Sequence, residues 1–300
     1  MKKFYVIVNP QSGRKKGPDF LDQIRPVLET NNLELMVMET QFAGHARELT
    51  HQLAFDKIDG LIVIGGDGTI HEVVNGLLTR QDKKTLPIGL IPGGSGNSMM
   101  VDVGLVNPLD AAKAIVSGHK RKIDVAEVKV DNKITFAFNI IGWGLATDVG
   151  VHAEKWRWLG PARYSIVAVL NIFKGTKARP ARLLLDEKEL VDEFTMVMAC
   201  NTRYTGDMKI APLAKLDDGL LDVVLVRHGA SRLELLSLLN RIYDGTHIES
   251  PLVEYYTASQ LSLIPEQDDI LNIDGELSGF TPIEVNMRQG AFEIFDQSIQ

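Results

Sequence analysis

The sequence is poor in cysteine and in long apolar segments. Its 300 residues include one cysteine, Cys200, so no disulfide can form within the chain, which fits a reducing compartment such as the cytoplasm. The apolar runs at residues 4–8 and 164–173 are too short for a signal-peptide core and for a membrane-spanning helix, respectively. We therefore expect a soluble cytoplasmic protein, at most peripheral at the inner membrane face.

A surplus of basic residues is also missing. The chain has 32 Lys and Arg against 39 Asp and Glu, a net charge of -7 at pH 7, so we expect no nucleic-acid partner. Residues 155–182 are the exception, because they contain cations without acids and also Trp156 and Trp158. Such a segment suits an anionic membrane surface, and equally the solvated rim of a partly buried helix. Its cations are Lys155, Arg157, Arg163, Lys174, Lys177, Arg179 and Arg182.

The first part of the chain, residues 1–124, alternates buried strands with helices. Short apolar runs predict strands at 4–8, 33–39, 61–64 and 88–91. Helical patterns occupy 19–28 (interrupted by Pro26), 43–55 and 110–117, and a further helix follows the third strand. In that helix, Ile70, Val73, Val74 and Leu77 have the spacing of a face that packs on a sheet. The alternation predicts a parallel sheet with helices on both faces.

The pattern changes after Asp124. Strand-like runs then follow one another with few helices between them, which favours antiparallel pairing and a β-rich second domain at residues 125–300, whose C-terminal tail can pack back on the first. Helical stretches interrupt them at 162–173 and 231–243. The predicted strands are 125–130, 134–140, 182–185, 193–200, 221–226, 260–264, 270–273 and 282–286.

Three strands of the first domain end in turns rich in glycine or other small residues. The turns are Asn9-Pro10-Gln11-Ser12-Gly13, Gly65-Gly66-Asp67-Gly68-Thr69 and Pro92-Gly93-Gly94-Ser95-Gly96-Asn97. The carboxyl ends of parallel strands share one sheet edge, where ligands of such sheets bind. Glycine leaves backbone N–H groups free to approach phosphate, and a helix predicted to start near Thr69 adds further donors. Any one of them could be a simple tight turn, but together they favour a phosphate site.

Asp67 is an unusual neighbour for a phosphate. A divalent cation between the two would resolve the repulsion, so Asp67 indicates Mg²⁺ with a nucleoside triphosphate. Other nucleotide signatures are absent from the sequence: it has no Gly-x-x-x-x-Gly-Lys-Ser/Thr loop and no Gly-x-Gly-x-x-Gly after the first strand. His71-Glu72 is no zinc-protease motif, because Asn75 stands where the second histidine would be.

These motifs resemble the diacylglycerol kinase catalytic domain, whose superfamily includes sphingosine kinases and soluble bacterial lipid kinases. The resemblance extends through Thr40 with Gly44-His45-Ala46, through residues 211–214 and 217–222, and to Asp274-Gly275-Glu276. It implies an α/β fold class, with an N-terminal Rossmann-like (NAD-kinase-like) parallel-sheet domain and a C-terminal β-sandwich domain. It also implies an active site in the cleft between them, ATP as phosphoryl donor and Mg²⁺ as cofactor.

The resemblance implies a role for particular residues. Glu276 resembles the proton acceptor of the family, Asp274 stands beside it, Asp67 is the link to Mg²⁺-ATP, and Asp124 resembles a member of the same acidic network. A structural Mg²⁺ would be held by Asp218 and the carbonyls of Lys215 and Leu220. The implied nucleotide contacts are Asn9, Pro10, Gln11, Ser12, Gly13, Thr40, Gly65, Gly66, Asp67, Gly68, Thr69, Ile70, His71, Glu72, Gly94, Ser95, Gly96 and Asn97.

One departure from the family pattern affects the substrate. Soluble bacterial diacylglycerol kinases usually carry an aspartate where this chain has Ser98, and the Gly-Ser-Gly-Asn form is closer to sphingosine kinases. We expect an ATP-dependent kinase of a lipid hydroxyl, with diacylglycerol or a related lipid as acceptor. The alternatives are an NAD kinase, whose later Asn-Glu pair and Thr-rich loop are missing, and a non-catalytic lipid- or nucleotide-binding protein. The sequence leaves the oligomeric state open, a homodimer included.

Overall fold

The computed structural model describes residues 1–94, 96–131, 133–156 and 162–297, apart from the side chains of residues 14, 154, 162 and 163. The chain divides into two compact units. The first consists of Met1–Asp124 with the stretch that begins at Gln289, and the second of Val125–Arg288. Among the helices that the structure describes, none combines the length and the apolarity needed to cross a membrane.

The first unit alternates strands with helices, as the sequence predicts. Its elements are β1 (Lys2–Val8), α1 (Ser12–Lys15), α2 (Gly17–Thr30), β2 (Leu33–Glu39), α3 (His45–Gln52), β3 (Gly60–Gly65), α4 (Asp67–Leu78), β4 (Ile88–Pro92), α5 (Ser98–Asp102) and α6 (Pro108–Ser117). Strands β1 to β4 are parallel and lie in the order β4-β3-β1-β2. The predicted parallel sheet is therefore confirmed, and the carboxyl ends of its strands share one edge.

Burial explains why β3 and α4 form where they do. Every residue of β3 is buried, as expected for a central parallel strand covered on both faces. The predicted helical face of α4 is confirmed, because Ile70, Val73, Val74 and Leu77 are all buried. Such burial removes apolar area that contributes about 25 cal/mol per Å².

The prediction that Pro26 interrupts a helix is wrong. Helix α2 continues through Pro26. Leu21, Ile24 and Leu28 form its buried face, whereas Pro26 is exposed. On the exposed side of a helix, water can hydrate the carbonyl that proline leaves unpaired, so packing on the opposite face holds the helix together.

The second unit is built mainly of strands. Its elements, after the entering strand β5 (Lys120–Val130), are β6 (Lys133–Ala137), β7 (Ile140–Gly144), α7 (Leu145–Glu154), α8 (Ala162–Lys174), β8 (Arg179–Leu185), β9 (Lys188–Cys200), β10 (Leu221–Arg227), α9 (Arg232–Arg241), β11 (Val253–Ala258), β12 (Gln260–Pro265), β13 (Ile270–Ile273), β14 (Glu276–Phe280) and β15 (Ile283–Phe295). The strand pairs within this unit are antiparallel, as predicted.

The sequence patterns did not predict several elements of this unit correctly. The predicted strand 134–140 is two strands, β6 and β7, because the backbone N–H groups of Phe138, Asn139 and Ile140 bond to the Asp274 carboxylate. Trp143 is buried within β7. Helix α7 and strands β11 and β14 were not predicted.

The chain passes between the units within two strands. It leaves the first unit in β5 after Asp124 and returns in β15 at Gln289. The buried Asp124 carboxylate accepts the N–H of Gly290 at 2.6 Å, so the departing and returning strands are tied together. The end of β15 then lies parallel to β4, with Ile294 opposite Ile88. The first unit is therefore completed by the C-terminal part of the chain.

The exposed proline of α2 gives a test of this packing. Pro26→Ala supplies the missing N–H donor and a better helix former, so we expect the free energy of unfolding to rise by about 1–3 kcal/mol. Urea denaturation measures the change. Gln23→Ala, at another exposed position of α2, serves as the control and should change stability by less than about 0.5 kcal/mol. A Pro26→Ala protein no more stable than the parent would contradict the explanation.

Candidate active site

The three small-residue turns meet at the carboxyl edge of the parallel sheet, as predicted. The backbone N–H of Gly93 donates to the carbonyl of Gly65 at 2.9 Å, which ties the third turn to the second. The hydroxyl of Ser12 donates to the carbonyl of Gly93 at 2.6 Å, which ties the first turn to the third. The turns that follow β1, β3 and β4 thus form one connected backbone surface.

Glycine is required where these turns touch. A Cβ atom added to Gly66 would lie 2.8 Å from the Cα of Gly94, and one added to Gly94 would lie 2.4 Å from the Cα of Gly66. Real Cβ atoms do not approach other atoms so closely, so the two backbones pack directly on each other. Gly13 has φ +58° and lies against the carbonyl of Gly93, so a side chain there would be both strained and blocked.

Asn9 connects the first turn to helix α4. Its side-chain amide donates to the hydroxyl of Thr69 at 2.9 Å, and its carbonyl oxygen accepts the N–H of Gln11 at 3.0 Å. The helix begins at Asp67 rather than near Thr69, with Gly66 as N-cap and no side-chain cap. The first-turn N–H groups of α4 are therefore not taken by a capping side chain, and they carry the partial positive charge of a helix N-terminus.

The structure gives Ser98 a role that the sequence analysis missed. The N–H of Ser98 donates to Oδ1 of Asp67 at 2.8 Å, and its hydroxyl lies 3.1 Å from Oδ2. Ser98 is buried, so both donors are shielded from water. Ser98 thus places a neutral donor at the position where soluble bacterial diacylglycerol kinases usually carry an aspartate. This donor orients the carboxylate of Asp67. The position of Ser98 directly after Asn97, at the start of α5, is the sequence feature from which this role could have been predicted.

The carboxylate of Glu72 is engaged by backbone groups. It accepts the N–H of Gly44 at 2.7 Å and that of Ala46 at 3.0 Å, which anchors the loop before α3 to helix α4. Thr40 lies at the other end of this loop, where its N–H donates to Val8. Glu72 therefore positions the segment that contains Thr40 and His45. This is a structural role beside the nucleotide contact that the sequence predicted.

Of three further predicted contacts, Ile70 and His71 lie within the described residues and Ser95 does not. Ile70 has a fully buried side chain within the core, so its side chain cannot touch a nucleotide. His71 lies beside Asn75, whose amide donates to the carbonyl of His71 at 2.9 Å. Ser95 lies outside the described residues. Its neighbours in the third turn are held by Asn97, whose side chain exchanges two hydrogen bonds of 2.9 Å with the backbone of Gly94.

Asp274 and Glu276 differ sharply in their surroundings within the second unit. Asp274 is buried, has φ +53°, and accepts the N–H groups of Phe138, Asn139 and Ile140 at 2.9–3.1 Å. Glu276 is exposed at the first residue of β14. Asp274 therefore shapes the turn, and Glu276 presents the accessible carboxylate of the predicted pair.

The predicted metal residues lie in the turn before β10. The N–H of Leu220 donates to Asp218 at 3.1 Å, and Lys215 and Asp218 are exposed. Within the described ranges, no three His, Cys, Asp or Glu side chains are placed to hold a metal. Burial, and after it the charge of Asp218, raise the pKa of Asp222 to about 6. The predicted set of one exposed carboxylate and two backbone carbonyls consists of oxygen donors alone, which is the chemistry that Mg²⁺ prefers.

The basic segment at residues 155–182 is smaller than the sequence suggests. Arg179 is buried and forms ion pairs with Asp148 at 2.8 Å and Asp269 at 2.7 Å, so it belongs to the fold. Arg182 pairs with Glu189. Arg157 and Trp158 lie outside the described residues, as does the side chain of Arg163. Besides the ion-paired Arg182, the exposed cations that the structure describes in this segment are Lys155, Lys174 and Lys177.

Comparison with known families covers both units. Residues 3–128 match the family profile of the diacylglycerol kinase catalytic domain. Residues 139–296 match that of the YegS C-terminal NAD kinase beta sandwich-like domain. Together with the parallel sheet, these matches bear out the predicted fold class of a Rossmann-like domain followed by a β-sandwich domain.

Individual relatives that match most of this chain are also named as lipid kinases. Sphingosine kinase 1 of Arabidopsis thaliana is 31% identical over 92% of this chain and 68% of its own length. A diacylglycerol kinase of Bacillus subtilis (strain 168) is 29% identical over 95% of this chain and 93% of its own. A crystal structure from Bacillus anthracis str. Sterne, described as a candidate diacylglycerol kinase, has a TM-score of 0.81 and 26% identity, covering 99% of this chain and 97% of the other.

The role of Glu72 can be tested through stability. Glu72→Gln keeps the shape of the side chain but turns an N–H donor toward one of the two backbone donors. We expect the free energy of unfolding to fall by about 1–3 kcal/mol, because a buried donor loses its acceptor. Chemical denaturation gives the value, and Glu48→Gln on the exposed side of α3 is the matched control. Equal stability of the two variants would show that the anchoring bonds do not matter.

Proposed function

The chain belongs to the superfamily of diacylglycerol kinases and sphingosine kinases, and on that premise we propose that it transfers the γ-phosphate of ATP to the hydroxyl of a lipid. The observation that carries this proposal is the junction of three small-residue turns beside the N-terminus of α4. Such a surface of backbone donors suits a polyphosphate, and the charge that develops in phosphoryl transfer needs donors held in place beforehand.

The first unit supplies the phosphate contacts in this proposal. Asn9 holds the first turn against Thr69, and the N–H groups at the start of α4 face the anion. Asp67, oriented by Ser98, would act through the Mg²⁺ that accompanies ATP. When bound, that cation neutralises charge on the phosphate oxygens. The chain's own contribution is to hold the donors and the carboxylate in fixed positions.

The second unit supplies the group that activates the acceptor. Glu276 is the better candidate for the proton acceptor, because it is exposed and no backbone donor occupies it among the described contacts. Asp274 uses its carboxylate to hold Phe138, Asn139 and Ile140. Asp274 is then a positioning residue for the turn that presents Glu276. For the structural Mg²⁺ we propose Asp218 with the carbonyls of Lys215 and Leu220, an all-oxygen set that this ion prefers.

The acceptor is best identified with a panel of radiolabelled transfer reactions. Diacylglycerol, monoacylglycerol, a sphingoid base and undecaprenol would be offered with ATP, and NAD would be offered as the competing acceptor. Transfer to one of the lipids supports the proposal and names its substrate. Transfer to NAD alone, or ATP binding without transfer to any acceptor, would favour the alternatives of an NAD kinase or a non-catalytic binding protein.

Replacement of the proposed base tests the mechanism. Glu276→Gln removes the proton acceptor while it keeps the side chain's size, so we expect transfer to the best lipid to fall by about 10²–10⁴-fold. ATP binding, measured by calorimetry, should stay within a factor of about three, since the phosphate contacts lie in the first unit. Glu266→Gln, at an exposed position of the same unit, is the control. Near-normal turnover of Glu276→Gln would remove Glu276 from the mechanism.

We propose further that helix α8 docks on an anionic membrane, which a lipid kinase must reach. Ile166, Leu170 and Phe173 follow helical spacing and are 40%, 41% and 56% exposed. This apolar stripe has Lys174 and Lys177 at its C-terminal end, in a protein whose net charge is -7. An apolar stripe beside cations matches the surface of a bilayer that contains anionic lipid.

A polar substitution in the stripe tests the docking surface. Phe173→Ser removes apolar area that would enter the membrane, so we expect affinity for anionic vesicles to fall roughly tenfold. Vesicle co-sedimentation measures the change. Val191→Ser is the matched control, because Val191 is an exposed apolar residue of strand β9 in the same unit. A loss of similar size in both variants, or binding that ignores anionic lipid, would contradict membrane docking by α8.

A further inference from the structure

The chain bends between β6 and β7, and this bend receives the turn that presents Glu276. The bend consists of Phe138 and Asn139, which belong to neither strand. The backbone N–H groups of Phe138, Asn139 and Ile140 all donate to the carboxylate of Asp274. Successive N–H groups of an extended strand alternate in direction, so three of them meet one carboxylate only because the chain bends here.

The local sequence favours a continuous strand at this place. Residues 134–140 read Ile-Thr-Phe-Ala-Phe-Asn-Ile, a run rich in apolar and β-branched residues that predicts one strand. The bend therefore exists against the preference of its own residues, and contacts from elsewhere in the chain maintain it. Asp274 accepts from its N–H groups. The carbonyl groups of Phe138 and Asn139 need donors of their own, because both residues are buried.

Asn201, which follows directly after strand β9, supplies both of those donors. Its side-chain amide nitrogen donates to the carbonyl of Phe138 at 2.9 Å, and its backbone N–H donates to the carbonyl of Asn139 at 2.8 Å. The hydroxyl of Thr202 bonds to the side-chain oxygen of Asn139 and lies 2.9 Å from the carbonyl oxygen of Tyr204. Asn201 and Thr202 thus form a clamp on the bend. Both are 1% exposed, so water does not replace these bonds.

The sheet places the clamp and the Glu276 turn on opposite sides of the bend. Strand β7 lies between β9 and β13. On one side Ile140 pairs with Cys200, which the clamp follows. On the other side β7 pairs with Ile273, which Asp274 follows. The clamp and Asp274 therefore leave the sheet at the edge where β7 begins, and a shift of the clamp reaches Asp274 through the backbone of the bend.

We propose that the clamp is a positioning element for the proposed transfer reaction, and this proposal rests on the assignment of Glu276 as proton acceptor. The clamp holds the bend, the bend holds Asp274, and Asp274 fixes the turn that presents Glu276. Neither Asn201 nor Thr202 touches the substrate. Without the clamp the buried carbonyl of Phe138 loses its donor, and the bend relaxes toward the extended strand that its sequence favours. Asp274 then loses N–H donors, and Glu276 loses its fixed position.

Paired threonine variants test the hold of the clamp on the bend. Thr202→Val removes the hydroxyl at nearly constant shape, and Thr202→Ser keeps it. Thr195→Val is the matched control, because Thr195 is also 1% exposed but bonds to the carbonyl of Arg227 in place of the bend. In Thr202→Val the amides of residues 138–140 should exchange with deuterium roughly tenfold faster than in the parent, as followed by NMR. The amides of β8 should stay unchanged, and Thr202→Ser and Thr195→Val should resemble the parent.

The kinetic measurement separates positioning from loss of stability. With the best lipid acceptor, Thr202→Val should lower kcat about tenfold and leave the KM for ATP within a factor of about two, because a misplaced proton acceptor slows transfer without weakening nucleotide contacts. Thr202→Ser should recover most of the parent rate. In a Glu276→Gln background, Thr202→Val should cost less than about twofold further, since the group that it positions is gone. Asn201→Ala, which removes the donor to Phe138, should repeat this pattern with a larger loss.

Three outcomes would overturn the proposal. Equal exchange at residues 138–140 in Thr202→Val and Thr195→Val would show that the clamp does not hold the bend. Additive losses of Thr202→Val and Glu276→Gln would show that it does not act through Glu276. A Thr202→Ser protein as slow as Thr202→Val would show that the hydroxyl is not the group that matters. A protein that transfers no phosphate to any acceptor, yet shows the expected exchange difference, would support the hold of the clamp on the bend while it contradicts the proposed function.

Discussion

The direct contact between the backbones of Gly66 and Gly94 is the constraint on which the candidate site depends. Strands β3 and β4 are adjacent and parallel, so the turns that leave them start about 4.8 Å apart. A Cβ atom on either glycine would clash with the Cα atom of the other, so each turn presents its backbone at this point. Gly66 and Gly94 therefore have two effects. They let the two turns pack against each other, and they leave the backbone N–H groups exposed. The same arrangement brings Ser12 close enough to bond to Gly93.

Three carboxylates illustrate a second principle, that a buried or half-buried acid is usually held by hydrogen-bond donors. Asp67 is held by Ser98, Glu72 by the loop before α3, and Asp274 by three consecutive N–H groups. Each of these carboxylates holds the backbone segment that donates to it in a fixed position. Glu276 stands apart because it is exposed, which is why we assign it the proton transfer.

Sequence patterns predicted the fold where local periodicity and tertiary packing agree. The all-buried strand β3 and the apolar face of α4 are of this kind, and the convergence of the three turns follows from parallel topology. The patterns failed where long-range contacts decide. Asp274 splits one predicted strand from more than 130 residues away, and packing of the opposite face carries α2 past Pro26. The bond from Ser98 to Asp67 likewise joins two turns that only the folded sheet brings together.

The tie between Asp124 and Gly290 has a consequence for biosynthesis. Because the first unit is completed by the end of β15, a ribosome must add all of residues 125–288 before that unit can close. At roughly 5–20 residues per second, this leaves the edge of β4 uncovered for on the order of ten to thirty seconds. During that interval an unpaired parallel strand is open to wrong partners. Truncation after Asp124 would make this exposure permanent, because the stretch that pairs with β4 would never be made.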